Sequence, residues 1–169
     1  VCNNADFGGF VYEDGLAKMI CSYPVGGSVK PVLEGIEAGT IQLELTPQGT
    51  LAERLRAGGS GLGGVLTPTG LGTEFQEGRR IIEVDGKPYL LALPLRGDVA
   101  LVRAHVADRY GTLVSRFAGR NFNPLMAMAA DMTIAEVDHI VEPGQLDPQQ
   151  IHIPSVFVDR VVAVGGGPA

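Results

Sequence analysis

Apolar positions fall in short blocks separated by glycine and proline, and their spacing changes along the chain. "AKMICSYP", with Lys18 at its start and a proline at its end, has the apolar density of a buried strand. In "SVKPVLEGIEAGT" the apolar residues Val32, Leu33 and Ile36 share one face of a short helix, which Gly39 stops. "TIQLEL" alternates Ile41, Leu43 and Leu45, the pattern of a strand with one buried face. After the turn "TPQGT", "LAERLRAGG" reads as a helix with Leu51 and Leu55 inward, Glu53 and Arg54 outward, and Gly58-Gly59 closing it.

The middle changes character. "RRIIEVDGKPYLLALPL" is two strands around Asp85-Gly86, a strong hairpin signal. "VALVRAHVAD" is nearly continuous in apolar residues, as in a strand covered on both faces. "RYGTLVSRF" reads as a turn and strand, and "NFNPLMAMAA" as a helix with Asn123 as N-cap and Pro124 first in the helix. The β-branched content of "MTIAEVDHIV" argues for a strand. A last strand begins near Val156, and the tail "GGGPA" frays. The expected fold is α/β: a mostly parallel sheet, flanking helices and an inserted β-hairpin, in one domain over residues 1–169. Ligands of such sheets bind at the carboxyl ends of the strands, where "TPQG" and "TPTG" both fall.

Composition narrows the chemistry. With 45% apolar and 19% charged residues, the 169-residue chain can build a core. A net charge of −6 argues against a nucleic-acid partner. No apolar run reaches the roughly 18 residues of a membrane span, and nothing resembles a secretory signal, so the expected location is cytoplasmic. Cys2 and Cys21 lie in no paired-cysteine motif and are expected as free thiols. His105, His139 and His152 lack metal-ligand spacing, so no metal is expected.

"GGSGLGG", Gly58 to Gly64, is no Walker loop and follows a helix, so the dinucleotide fingerprint fails on context. It is either a flexible connection or backbone that must lie against a bulky partner, a ligand or a second chain. Gln48 sits between a proline and a glycine that constrain the local backbone; it either decorates a turn or donates its amide to a carboxylate or oxyanion. Asn3-Asn4 and Asn121/Asn123 have the plain reading of caps and turns. Glu13-Asp14 and Glu136/Asp138 read as solvated faces without an acid–base role.

In order, "LELTPQGTLAERLRAGGSGLGG", "LTPTGLGT", "EVDGKPYLL", "RNFNPLMAMAADMTIAEV", "VEPGQLDP" and "FVDRVV" resemble the family I coenzyme A transferases. The match is to the first (A or α) subunit of the two-subunit 3-oxoacid type, and "VCNNA" looks like that family's "SNNAG". Two features depart: the family's further N-terminal segment, with a Gly-Gly-Phe-Gly loop, is absent, and the stretch between Ala5 and Lys18 is short.

The resemblance implies CoA transfer from succinyl-CoA, or another acyl-CoA, to a 3-oxoacid such as 3-oxoadipate or acetoacetate. Acetate-type transfer, or a non-catalytic CoA-binding subunit, are the alternatives. It also implies a nucleophilic glutamate on a separate B subunit, in an αβ or α2β2 assembly, and no catalytic residue in this chain. Coenzyme A enters as substrate, with no permanently bound cofactor. The substrate-facing residues carried over are Gln48, Gly49, Asn3, Asn4, Thr69 and Gly70. Both turns, "TPQG" and "TPTG", are free of acidic side chains, which suits anionic substrates.

Overall fold

The computed structural model describes residues 15–24 and 29–164; Cys2, Asn3, Asn4, Glu13-Asp14 and the "GGGPA" tail lie outside them. The chain divides into two compact units, residues 1–51 with 66–92, and residues 52–65 with 93–169.

The first unit is built on a parallel pair. Strand β1 (Lys18–Cys21) lies beside β2 (Gln42–Leu45), with Lys18 opposite Gln42 and Cys21 opposite Leu45. A parallel pair needs a crossover, and helix α1 (Lys30–Glu37) supplies it, with Pro31 in its first turn and Val32 fully buried. The helix stops as expected at Gly39, whose φ of 73° suits a residue without a Cβ. Ile41 is buried, but Leu45 is 52% exposed, so the alternation in "TIQLEL" buries only its first member fully. Strands β4 (Ile81–Val84) and β5 (Lys87–Ala92) form the expected hairpin. Asp85 and Gly86 both have positive φ (51° and 72°), as the tight two-residue turn requires. Strand β3 (Val65–Thr67) flanks β5, giving the order β3-β5-β4.

Helix α2 (Gln48–Gly59) closes at Gly58-Gly59 as expected, and both glycines also sit under close contacts. A Cβ on Gly58 would lie 2.2 Å from the Leu95 carbonyl oxygen, and one on Gly59 would lie 2.6 Å from Met128 Cβ. The Arg54 side chain donates to the Leu93 carbonyl and the Leu95 N–H to the Arg54 carbonyl, holding the connection after Ala92 against the helix. Neither reading of "GGSGLGG" covers its first two glycines: the backbone does approach something closely, but the neighbour is Leu95 and Met128 of the same chain, not a ligand or a second chain. Gly63 has nothing within 4 Å of a built Cβ and belongs to an open connection.

The second unit centres on a four-stranded sheet of order β7-β6-β8-β9. Strands β6 (Gly97–Asp108) and β8 (Ala130–Val141) pair in parallel, Val102 opposite Ala135 and Ala104 opposite Val137. Strand β9 (Arg160–Ala163) adds in parallel and β7 (Leu113–Val114) in antiparallel fashion. One face packs a core of Ala100, Val102, Ala104, Ala135 and Val137 with Leu113, Ala127 and Ile153.

Three local expectations are corrected here. Strand β6 is not covered on both faces within the chain, because Val99 is 52% and Leu101 61% exposed; an apolar run does not reveal which face finds a cover. Helix α3 (Asn123–Met128) has Phe122 as N-cap, so Asn123 is already helical. Its amide donates instead to the carbonyls of Arg103 and Gly119, a long-range demand invisible in the local sequence. The last strand begins at Arg160, because Pro154 leads into a 3-10 turn over Ser155–Phe157.

Replacing Gly58 by alanine forces a Cβ into the Leu95 carbonyl, and we expect a loss of about 1–3 kcal/mol by chemical denaturation of the purified protein. Gly63→Ala serves as the control, within about 0.5 kcal/mol of wild type. Equal stability of the two variants would show that the contact is not a tight one.

Candidate functional site

Parallel pairing of β1 and β2 sets their carboxyl ends side by side, and a cavity of about 610 Å³ opens there. This volume lies in the range of small-molecule sites. Ser22 comes from the end of β1; Leu45, Thr46 and Pro47 come from the end of β2. The far wall is Thr73, Glu74, Phe75 and Arg79, from the loop and 3-10 turn (Glu74–Gln76) that follow the "TPTG" segment.

Each wall has a local reason to be where it is. The Thr46 N–H donates to the Cys21 carbonyl at 2.9 Å, extending the β1–β2 ladder one residue to the cavity edge. Thr46 is 1% exposed. On the other wall, Gly70 has φ 93° and a Cβ there would lie 2.4 Å from the Phe75 ring. The Thr73 hydroxyl donates to the Gly70 carbonyl at 2.8 Å, and the Thr73 oxygen accepts from the Phe75 N–H, capping the 3-10 turn. Only glycine lets Phe75 fold back onto this loop and reach the cavity.

The charge in the lining is arranged around Glu44. Its carboxylate meets Lys18 Nζ at 2.8 Å and Arg79 Nη2 at 3.8 Å. Arg79 also donates to the Phe75 carbonyl and lies over the Phe75 ring, 3.8 Å from its centroid. One carboxylate is thus matched by two cations, while Glu74 is exposed at the rim. Hydroxyls of Ser22, Thr46 and Thr73 complete the polar lining. Cys21, next to Ser22, is a buried free thiol, and desolvation pushes its pKa up from the ordinary value, the reverse of an activated nucleophile. No group of His, Cys, Asp or Glu among the described residues could hold a metal ion. The lining thus offers three hydroxyls and one guanidinium beside two carboxylates, of which Glu44 is already engaged by Lys18 and Arg79.

The sequence-derived site residues fall around this cavity without being its walls. Gln48 and Gly49 are exposed and form the first turn of α2, directly after Pro47. "TPQG" is therefore a strand-to-helix junction rather than a free-standing turn, and the Leu51 N–H donates to the Pro47 carbonyl at 2.9 Å as a first helical bond. The first N–H groups of that turn precede any helical acceptor. Gly70 supports Phe75; Thr69 is exposed one residue before it. Asn3 and Asn4 lie outside the described residues. The sequence reading missed Glu44, Glu74, Phe75 and Arg79. The acid-free turns are as read, yet the cavity carries two carboxylates from neighbouring residues. Glu44 and Arg79 are far apart in sequence, and no short-range spacing announces their pairing.

The family profile described as Coenzyme A transferase matches residues 2–164. This chain belongs to the coenzyme A transferase family. It is 51% identical over 152 residues to the A subunit of the 3-oxoadipate CoA-transferase of Pseudomonas putida, covering 90% of this chain and 66% of that protein. It is 48% identical over 167 residues to the A subunit of the succinyl-CoA:3-ketoacid coenzyme A transferase of Xanthomonas campestris pv. campestris strain B100, covering 96% of this chain and 68% of that protein. Identity to the alpha subunit of the acetate CoA-transferase of Escherichia coli K12 is 50% over 125 residues, 74% of this chain and 57% of that one. The chain thus spans about two thirds of the length of the curated relatives it matches. Among solved structures, glutaconate coenzyme A-transferase from Acidaminococcus fermentans superimposes with a TM-score of 0.80 at 20% identity, over 92% of this chain and 58% of that one. At that identity the likeness is one of fold, and it places the α/β architecture among the coenzyme A transferases. No helix in the described residues is long and apolar enough to cross a membrane.

Because Cys21 is buried and its thiol is held protonated, an aromatic disulfide reagent at pH 8 should label it at least tenfold more slowly in the folded protein than in denaturant. A Cys2→Ser background isolates its signal. Labelling at equal rates in both states would place the thiol at the surface and make it a reactive group after all.

Proposed function

We propose that this chain is the A half of a two-subunit CoA-transferase. It would move CoA from succinyl-CoA, or another acyl-CoA, to a 3-oxoacid such as 3-oxoadipate or acetoacetate. The observation that carries the reading is the pairing of two facts: close relatives named as A subunits of such enzymes, and a cavity with binding groups but no activated nucleophile. In this reading a glutamate on the partner chain attacks the thioester carbonyl. The C–S bond breaks, an acyl anhydride forms, and the CoA thiolate then attacks the glutamyl carbonyl to release the first carboxylate. The reverse steps place CoA on the acceptor. Each half passes through a tetrahedral oxyanion, which neutral donors stabilise without repelling the anionic substrates.

The chain's own share is to hold the carboxylate. Gln48 and Gly49 are assigned that role at the α2 end of the cavity, with Thr69 and Gly70 on the loop that carries Phe75. Asn3 and Asn4 are assigned to the same role from the resemblance alone. Arg79 adds a fixed positive charge in the lining. CoA comes and goes as substrate, with no resident cofactor, and the partner is a B subunit in an αβ or α2β2 assembly. The match to the alpha subunit of an acetate CoA-transferase favours a second reading, in which acetate or another short fatty acid is the acceptor.

The test uses the co-purified pair of chains and each chain by itself. The pair should exchange CoA between succinyl-CoA and 3-oxoacids, and an acceptor screen with acetate alongside separates the two readings. This chain alone should give no exchange, and Glu74→Gln in the pair should keep turnover, because the nucleophile is elsewhere. Gln48→Ala should keep the fold and lose on the order of a hundredfold in turnover. Gln48→Glu should lose more, because it sets a negative charge against anionic substrates. Turnover by this chain alone, or its loss in Glu74→Gln, would place the nucleophile here and overturn the division of labour. Gln48 variants within about twofold of wild type would leave Gln48 a structural residue.

A further inference from the structure

The second unit carries a polar cavity that the transferase reading does not use. It has a volume of about 210 Å³ and opens beside strand β7, lined by Arg103, His105, Ser115, Arg116, Gly119 and Asp138. Strand register explains the gathering. Val106 pairs with Val114 and Ala107 with Leu113, so one step further sets Ser115 across from His105. On the other side His105 neighbours Asp138, since Ala104 pairs with Val137 and Val106 with His139. Ser115, His105 and Asp138 therefore form one row across three strands.

The charges in this cavity are unequally satisfied. Arg103 spans Glu136 and Asp138 with its two terminal nitrogens. Asp138 Oδ2 lies 2.9 Å from His105 Nδ1. That hydrogen bond, with Arg103 and both nearby imidazoles, holds the Asp138 carboxyl below the usual range, so it is a committed anion. Arg116, by contrast, makes no ion pair among the described residues; its guanidinium rests 4.8 Å from the centroid of the Phe117 ring. The Ser115 side chain is the second open group. Ser115 is 8% exposed, its backbone N–H is bonded to His152 Nδ1, yet its hydroxyl oxygen is buried without a hydrogen-bond partner. A buried hydroxyl without a partner is costly and calls for a physical account. The surrounding turn is fixed in an uncommon form: Phe117 and Asn121 have φ of 52° and 33°. The Asn123 amide ties the Gly119 carbonyl to that of Arg103.

We propose that this cavity is a binding site for a small oxyanion, a carboxylate or phosphate group, held by the Arg116 guanidinium at its mouth and the Ser115 hydroxyl within. The single carboxylate in the lining is already engaged by Arg103 and His105, which leaves Arg116 as the lining's open charge. A buried hydroxyl donor and an unpaired guanidinium are the groups an oxyanion needs. The site is made wholly of second-unit residues and does not depend on the proposed transferase reaction.

The test is calorimetric titration of the full-length protein, with its partner chain where it assembles with one, at constant ionic strength set by sodium chloride. Inorganic phosphate and succinate are titrated in separate arms, which distinguishes the two sources of oxyanion. At least one should bind saturably, with a dissociation constant on the order of 1 mM or tighter. Arg116→Ala should weaken it about tenfold or more, and Arg116→Lys less. Ser115→Ala should weaken it about threefold to tenfold while the unliganded melting temperature stays at or above that of wild type, because the group removed has no partner to lose. Absence of saturable binding in both arms would overturn the proposal, as would Arg116→Ala and Ser115→Ala proteins that bind like wild type.

Discussion

Parallel strand pairing is the constraint from which the candidate site follows. Two parallel strands cannot be joined by a tight turn, so β1 and β2 are connected through α1, and their carboxyl ends emerge at the same edge. That edge must end somewhere, and here it ends in Ser22 on one strand and Thr46-Pro47 on the other. Proline at position 47 closes the ladder, because it has no N–H to donate, and starts α2 at once. The cavity and the donor-rich first turn of the helix are thus two consequences of one pairing.

Within the cavity, electrostatics decides what the site can do. Glu44 is half-buried between Lys18 and Arg79 and cannot act as a free base or nucleophile without breaking those pairs. Ion pairs of this exposure contribute little to stability, roughly 0–1 kcal/mol, so the arrangement is better read through its charge than its strength. It presents a guanidinium, fixed by a ring beneath it, to whatever enters. The thiol nearby is pushed away from reactivity by burial. Among the groups of this lining, Glu44 is engaged and the thiol is protonated, which is the electrostatic ground of the proposed division of labour.

What the sequence made legible was what depends on neighbours in the chain. The Asp85-Gly86 hairpin was readable because both turn residues must take positive φ, a local requirement. The helix over 30–37 and the strands over 97–108 and 130–141 were readable from periodicity and β-branched content. Apart from the late start of the last strand, which Pro154 and the 3-10 turn after it set locally, the failures are long-range. Gly58 and Gly59 end the helix as read, but their second role, close approach to Leu95 and Met128, was not legible. Asn123 looked like a cap but spends its amide on Arg103 and Gly119. Leu101 looked buried on any reading of its apolar surroundings, yet the neighbours that cover one face of β6 do not cover the other. The cavity divides the same way: the "TPQG" and "TPTG" segments beside it stood out by their local glycine and proline context, whereas the Glu44–Arg79 pair exists only once the chain has folded.

The same logic separates the two polar clusters of the molecule. A charged group whose partners are supplied by adjacent strands, as Arg103 is by Glu136 and Asp138, is accounted for by the sheet that holds it. A group left open where the backbone is fixed is not. Folding must offset the desolvation of the Ser115 hydroxyl with no partner returned among the described residues, a cost of about 1–3 kcal/mol. A serine there is tolerable as packing alone only if alanine would serve equally well. That comparison of stability with binding is the physical distinction between a residue that fills space and one that awaits a ligand.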